Sequence, residues 1–213
     1  MVKKLIDGFK DFRESFFGTD QKFEKNFETR EHKPKTMIIA CSDARVDPAI
    51  LFDSNPGELF VLRNVANLVP PHCPNQEQHG VSAAIEYAVL ELGIREIIVL
   101  GHAFCGGINV LKSQVLGKTI NPLENVEHWM KIAEPAKSMI CKSMEEHELS
   151  RELEWASIKN SLQNLNGFPW INELVAIGEL KLYGWWFDMD NGAVWSCGNG
   201  DKEFSQIIPE IPL

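Results

Sequence analysis

The 213-residue sequence has no long apolar run. Stretches such as Ile97-Ile-Val-Leu100 fall far short of the roughly 20 residues that a membrane span needs. It has no basic excess either: 21 Lys and Arg stand against 30 Asp and Glu, for a formal net charge of −9. A nucleic-acid binder needs a basic face to meet phosphate, and a polybasic membrane anchor needs the same. Neither partner is expected. The opening Met1-Val-Lys-Lys-Leu-Ile-Asp-Gly-Phe-Lys10 lacks an uninterrupted apolar region and small cleavage-type residues, so no signal peptide is expected. No repeat or low-complexity tract stands out. Cysteines are few and odd in number, five, in a chain long enough to bury a core without disulfides. That pattern reads as a reducing, cytoplasmic protein with free or metal-bound thiols. Apolar content of 44% and charged content of 24% are ordinary for a folded chain and exclude disorder as the main state. The length suggests a single domain over 1–213.

What is present reads as strands alternating with helices. Leu5, Ile6, Phe9, Phe12, Phe16 and Phe17 recur at helical spacing. With Phe23 and Phe27 they give residues 1–30 six aromatics. Two compatible readings stand for this arm: a helix packed on its own core, or one reaching across a partner subunit. Thr36–Ala40, Leu59–Leu62 and Glu96–Leu100 are continuous apolar runs, as expected of strands covered on both faces of a parallel sheet. Val81, Ala84, Ile85, Ala88, Val89 and Leu92 predict a helix that stops at Gly93. A further helix should open at Gly106-Gly107. Residues 122–165 read as helical with one interruption at Pro135. Leu180–Phe187 and Ala193–Cys197 flank an Asn191-Gly192 turn, the sign of a late antiparallel hairpin. The expected fold is α/β, with a mainly parallel central β-sheet flanked by helices, an N-terminal helical arm and that hairpin.

The chemistry gathers after two predicted strands. Cys41-Ser-Asp-Ala-Arg45 follows the first, and His102-Ala-Phe-Cys-Gly-Gly107 the third. Ligands of open parallel sheets bind outside the carboxyl ends of the strands, so both segments point at one edge. Cys41, His102 and Cys105 offer two thiolates and an imidazole, a set zinc accepts. No fourth ligand lies beside either segment, which favours an open, catalytic site; His72, Cys73 and His79 remain spare candidates. Asp43 stands two residues from a ligand and can orient a nucleophile at the metal, and Arg45 can clamp Asp43 and keep it ionised. Simpler readings compete. Either cysteine could be a core thiol, Cys105 could be a nucleophile with His102 as its base, or the Gly-rich turn could cradle phosphate. The last lacks a Gly-Lys-[Ser/Thr] ending, and the nucleophile leaves Asp43 and Arg45 without a role.

These two segments resemble the signature of the β-class carbonic anhydrases. Pro56–Asn67, Gly80–Val89 and Gly184–Phe187 extend the resemblance from about residue 30 to about residue 187, and Arg63–Pro71 is most similar to the plant-type branch. The resemblance implies one zinc per subunit on Cys41, His102 and Cys105, with Asp43 and Arg45 as the catalytic dyad. It implies reversible hydration of carbon dioxide to bicarbonate and a proton, by attack of a zinc-bound hydroxide. Phe60, Val65 and Tyr87 would line an apolar substrate pocket, partly across a dimer interface, and the Gly106 amide would hold substrate. A homodimer or higher homo-oligomer is implied, with N-terminal helices wrapping the neighbour. Four positions depart from the family. His32 replaces a substrate-bonding Gln of plant-type relatives. Ile38 and Ala40 replace the Trp and Gly of a bicarbonate-inhibited branch, so Asp43 is expected to stay off the metal. Ala103 replaces a common Ser. The alternatives are a carbonyl sulfide or carbon disulfide hydrolase on the same scaffold, and a non-catalytic zinc-binding interaction domain.

Overall fold

The computed structural model describes residues 1–17, 34–73, 80–118, 123–140 and 144–208. Six strands form one sheet: β1 (Thr36–Cys41), β2 (Leu59–Asn64), β3 (Glu96–His102), β4 (Lys181–Asp188), β5 (Ala193–Gly198) and β6 (Ser205–Ile208), in the order β2-β1-β3-β4-β5-β6. β2, β1, β3 and β4 are parallel, whereas β5 and β6 add antiparallel. β6, whose residues are all exposed, extends the expected hairpin to three strands. The turn between β4 and β5 is held by Asp188, whose Oδ1 accepts the amides of Asp190 at 3.0 Å and Asn191 at 3.4 Å.

β1 and β3 are buried along almost their whole length, as continuous apolar runs require. β2 differs: it is the sheet edge, and Val61 is 40% exposed. The alternating side chains of β1 and β3 feed two cores. Met37, Ile39, Ile97 and Val99 pack with residues of the helices α3 (Gly80–Glu86), α6 (Glu146–Asn166) and α7 (Pro169–Ala176). Ile38, Ala40, Ile98 and Leu100 pack on the other face with Phe52, Tyr183 and Trp185, next to the short α2 (Pro48–Leu51). Two glycines let α6 lie close to the sheet. A Cβ at Gly101 would meet Ile158 Cδ1 at 2.6 Å, and one at Gly184 would meet Ile158 Cγ2 at 2.6 Å and Cys197 Sγ at 2.8 Å.

The helix α3 runs into a π-turn at Tyr87–Glu91 and ends at Gly93, whose φ of 69° supplies the left-handed stop. α4 (Gly106–Val115) opens at the glycine pair, as expected. The stretch read as one long helix is instead α5 (Glu124–Met130), a 3₁₀ segment over Lys131–Met139, and α6. Pro135 sits inside the 3₁₀ segment, where its missing N–H removes an α-type bond. α1 (Val2–Phe17) buries none of its residues: Leu5, Ile6 and Phe9 are 70%, 53% and 61% exposed. The reading in which this helix packs on its own core does not hold for these residues. Phe23 and Phe27 lie outside the described residues.

Candidate metal centre

Parallel pairing sets the site. Cys41 closes β1 opposite Asn64 of β2, and Ala40 stands level with Leu100 of β3. Cys41 and the β3-terminal His102 therefore emerge side by side. The chain turns back after His102 and starts α4, with Cys105 as its N-cap residue. The sulfurs of Cys41 and Cys105 lie 4.0 Å apart, and the ligand atoms of Cys41, His102 and Cys105 all fall within 4.8 Å of one another. All three residues are buried.

Two observations say this cluster suits a divalent metal. His102 Nδ1 is 2.8 Å from the Ala103 carbonyl. That fixes the donor proton on Nδ1 and leaves Nε2 with its lone pair. Nε2 is buried and has no hydrogen-bond partner. The two thiols, moreover, oppose each other's ionisation. The hydrogen bond from Cys105 lowers the Cys41 thiol against the cost of burial, while that bond and burial push Cys105 well above an ordinary thiol. A cation between the sulfurs would stabilise both thiolates.

Asp43 and Arg45 form a two-pronged pair beside the cluster. Arg45 Nε donates to Asp43 Oδ1 at 2.9 Å and Nη2 to Oδ2 at 2.7 Å, and the Arg45 amide adds a bond of 3.0 Å. The Arg45 side-chain bonds hold the Asp43 carboxyl well below the usual carboxylate range. The carboxylate is thus engaged with Arg45. Sequence reasoning missed the clamp behind it. Arg63 donates to the carbonyls of Cys41 at 2.9 Å and Asp43 at 2.6 Å, and pairs with Asp47 at 2.7 Å. One guanidinium fixes the whole turn from ligand to dyad. Glu154 was missed too: its Oε1 accepts the Cys105 amide at 3.2 Å and its Oε2 the Trp186 indole at 3.0 Å. Burial raises its carboxyl to about 7 against the pull of those donors. Its sequence signal was an acid four residues before Ile158, on the buried stripe of α6.

The remaining expected positions divide. Gly106 begins α4 next to Cys105, and Val65, just after β2, is close enough that a Cβ on Gly107 would meet its Cγ1 at 3.0 Å. Phe60 and Tyr87 contact each other, with rings 6.3 Å apart. Phe60, however, pairs with Met37, four residues before the Cys41–Asn64 level, which is about 13 Å along a strand. One chain therefore does not bring this aromatic pair to its own ligand cluster. Of the spare ligands, His72 lies against Phe168 with ring centroids 4.8 Å apart, and Cys73 is exposed; neither joins the cluster. His32 and His79 lie outside the described residues.

A mainly parallel sheet carrying two thiols, an imidazole and a clamped carboxylate at its carboxyl edge defines an α/β protein with a candidate metal centre. Comparison makes this specific. A family model described as carbonic anhydrase matches residues 36–194. A carbonic anhydrase of Pseudomonas aeruginosa is 34% identical over 99% of this chain and 94% of its own length. One from Synechococcus elongatus is 31% identical over 100% of this chain and 77% of its own length. The solved structure of the β-carbonic anhydrase CcaA superposes with a TM-score of 0.85 at 30% identity, over 98% of this chain and 94% of that one. The chain belongs to the carbonic anhydrase family, in its β class. Among the described residues no helix is long and apolar enough to cross a membrane.

Proposed function

We propose that this carbonic anhydrase hydrates carbon dioxide reversibly to bicarbonate and a proton, with one zinc ion per subunit on Cys41, His102 and Cys105. The observation that carries the reading is the buried, unpartnered Nε2 of His102 beside two thiols that oppose each other's ionisation. When bound, zinc supplies the Lewis acidity that makes water nucleophilic near neutral pH. The Cys41 and Cys105 thiolates donate more negative charge than imidazoles do, so the working pH lies above that of an all-histidine site.

Asp43 acts as an acceptor only. Arg45 keeps it ionised, and its remaining lone pairs take a hydrogen bond from the attacking water and fix the direction of attack. Charge growing on the substrate oxygen is met by the Gly106 amide at the start of α4. Carbon dioxide is apolar and is held by Phe60, Val65 and Tyr87. The strand offset of Phe60 and the 52% exposure of Tyr87 favour a pocket completed by Phe60 and Tyr87 of a second copy. The exposure of Leu5, Ile6 and Phe9 on α1 favours the same homo-oligomer, in which the arm lies on the neighbour.

Stopped-flow hydration of carbon dioxide by the zinc-loaded protein, from about pH 7 to about pH 9 around the neutral zinc-water reference, tests this. Activity rising through a single ionisation is the expected result. A zinc-loaded protein inactive across that range would refute it.

A further inference from the structure

Among the described residues Glu154 is the sole buried carboxylate, at 5% exposure. Neither the ligand set nor the dyad uses it, and among the described residues no Lys, Arg or His is paired with it. Burying an acid without a cation is unfavourable unless donors surround it. Its two donors come from different elements. The Cys105 amide belongs to the turn that carries a ligand, and the Trp186 indole to β4, where Trp186 stands level with Gly101, one residue before His102. The carboxylate thus ties α6 and the central sheet to the turn between the two ligands of β3 and α4.

That turn needs an external hold. Cys105 precedes the first residue of α4, so its N–H has no helical acceptor. Phe104 before it has a φ of 59°, a conformation that side chains with a Cβ resist. The turn is therefore not one that its own residues prefer. The position of Cys105 Sγ follows from its backbone, and the backbone is fixed at the Cys105 amide.

Resting on the zinc reading above, we infer that Glu154 is a positioning residue for the metal centre: its carboxylate joins the Cys105 amide to the Trp186 indole and so holds the Cys105 sulfur toward Cys41 and His102. Glu154→Gln keeps the shape but turns one of the two acceptor oxygens into an N–H₂, which must face one of the donors. Residues that orient metal ligands typically change affinity by about 10–100-fold.

The experiment is chelator competition for zinc on the full-length protein, with the cobalt-substituted absorption spectrum as a second readout. Glu154→Gln is expected to weaken zinc binding about 10–100-fold and to alter the cobalt–thiolate charge-transfer band. Asn160→Ala removes a part-buried bond of the same helix to the Ile132 carbonyl, 2.8 Å long, that involves neither the metal ligands nor the dyad, and is expected to leave both readouts unchanged. Equal weakening by the two substitutions means general loosening of α6 and overturns the inference, as does a folded Glu154→Gln with native affinity and spectrum. If Glu154→Gln fails to fold, Trp186→Phe decides: it removes one donor only, a smaller weakening in the same direction supports the inference, and native behaviour overturns it. Wild-type protein that binds no zinc overturns the zinc reading itself, and this inference with it.

Discussion

Arg45 has a side chain 56% exposed, yet it decides what Asp43 can accept. Arg45→Ala is expected to lower kcat/KM for carbon dioxide about 10–100-fold, the usual cost of losing a residue that orients the metal's surroundings. Metal content, measured on the same sample, stays at the native level. Arg45→Lys recovers little, because an ammonium cannot span both carboxylate oxygens. Cys197 makes a different prediction. Burial raises its thiol from 9.0 to about 11. The folded state therefore keeps a proton that the unfolded state has lost, and stability falls as pH rises from about 9 to about 11. Two pKa units correspond to about 3 kcal/mol. Denaturant unfolding of the zinc-loaded protein should show this decline, and Cys197→Ala should flatten it. At pH 8, alkylation of the folded protein should label exposed Cys73 and spare Cys197. The Cys41, Asp43 and Arg45 constellation was legible because its members are close in sequence and chemically unusual together. Arg63 and Glu154 were not legible as site residues, because their partners lie 16 to 22 and 32 to 49 positions away.

At the scale of elements, the sequence spoke clearly where burial is continuous and weakly where backbone geometry decides. β1, β3 and the Gly93 stop were readable from apolar runs and a glycine. The π-turn at Tyr87–Glu91 leaves no mark in the apolar spacing, since Ala88 and Val89 are buried all the same. β6 was invisible, being short and fully exposed. The contact of α6 with the sheet depends on small residues. Gly184→Ala should cost about 1–3 kcal/mol by overpacking, because its new methyl meets Ile158 and Cys197 together. Phe104 is the opposite case, a large side chain in a left-handed turn. Phe104→Asn should raise the denaturation midpoint, by up to about 1 kcal/mol of stability, since Asn tolerates that conformation.

For the whole molecule, the exposed Leu5, Ile6 and Phe9 of α1 bear on the proposed homo-oligomer. Removing residues 1–17 should shift the sedimentation profile toward smaller species, and should lower activity if Phe60 and Tyr87 serve a neighbour's site. The aromatic spacing of α1 announced a cover for something, but amphipathic periodicity carries no information about which surface it meets. The register of the central strands has a kinetic consequence as well. Cys41 and Cys105 are separated by 64 positions and meet only after β3 has docked against β1. Contacts of such sequence separation form slowly, because the intervening chain must be closed first. On the proposed metal reading, metal capture during refolding would therefore be a clock for sheet closure. Cobalt–thiolate absorbance should grow in with the slow phase of refolding and lag behind helix formation seen by far-ultraviolet circular dichroism. A newly made chain would pass through a metal-blind interval, during which its two thiols are still strangers to each other.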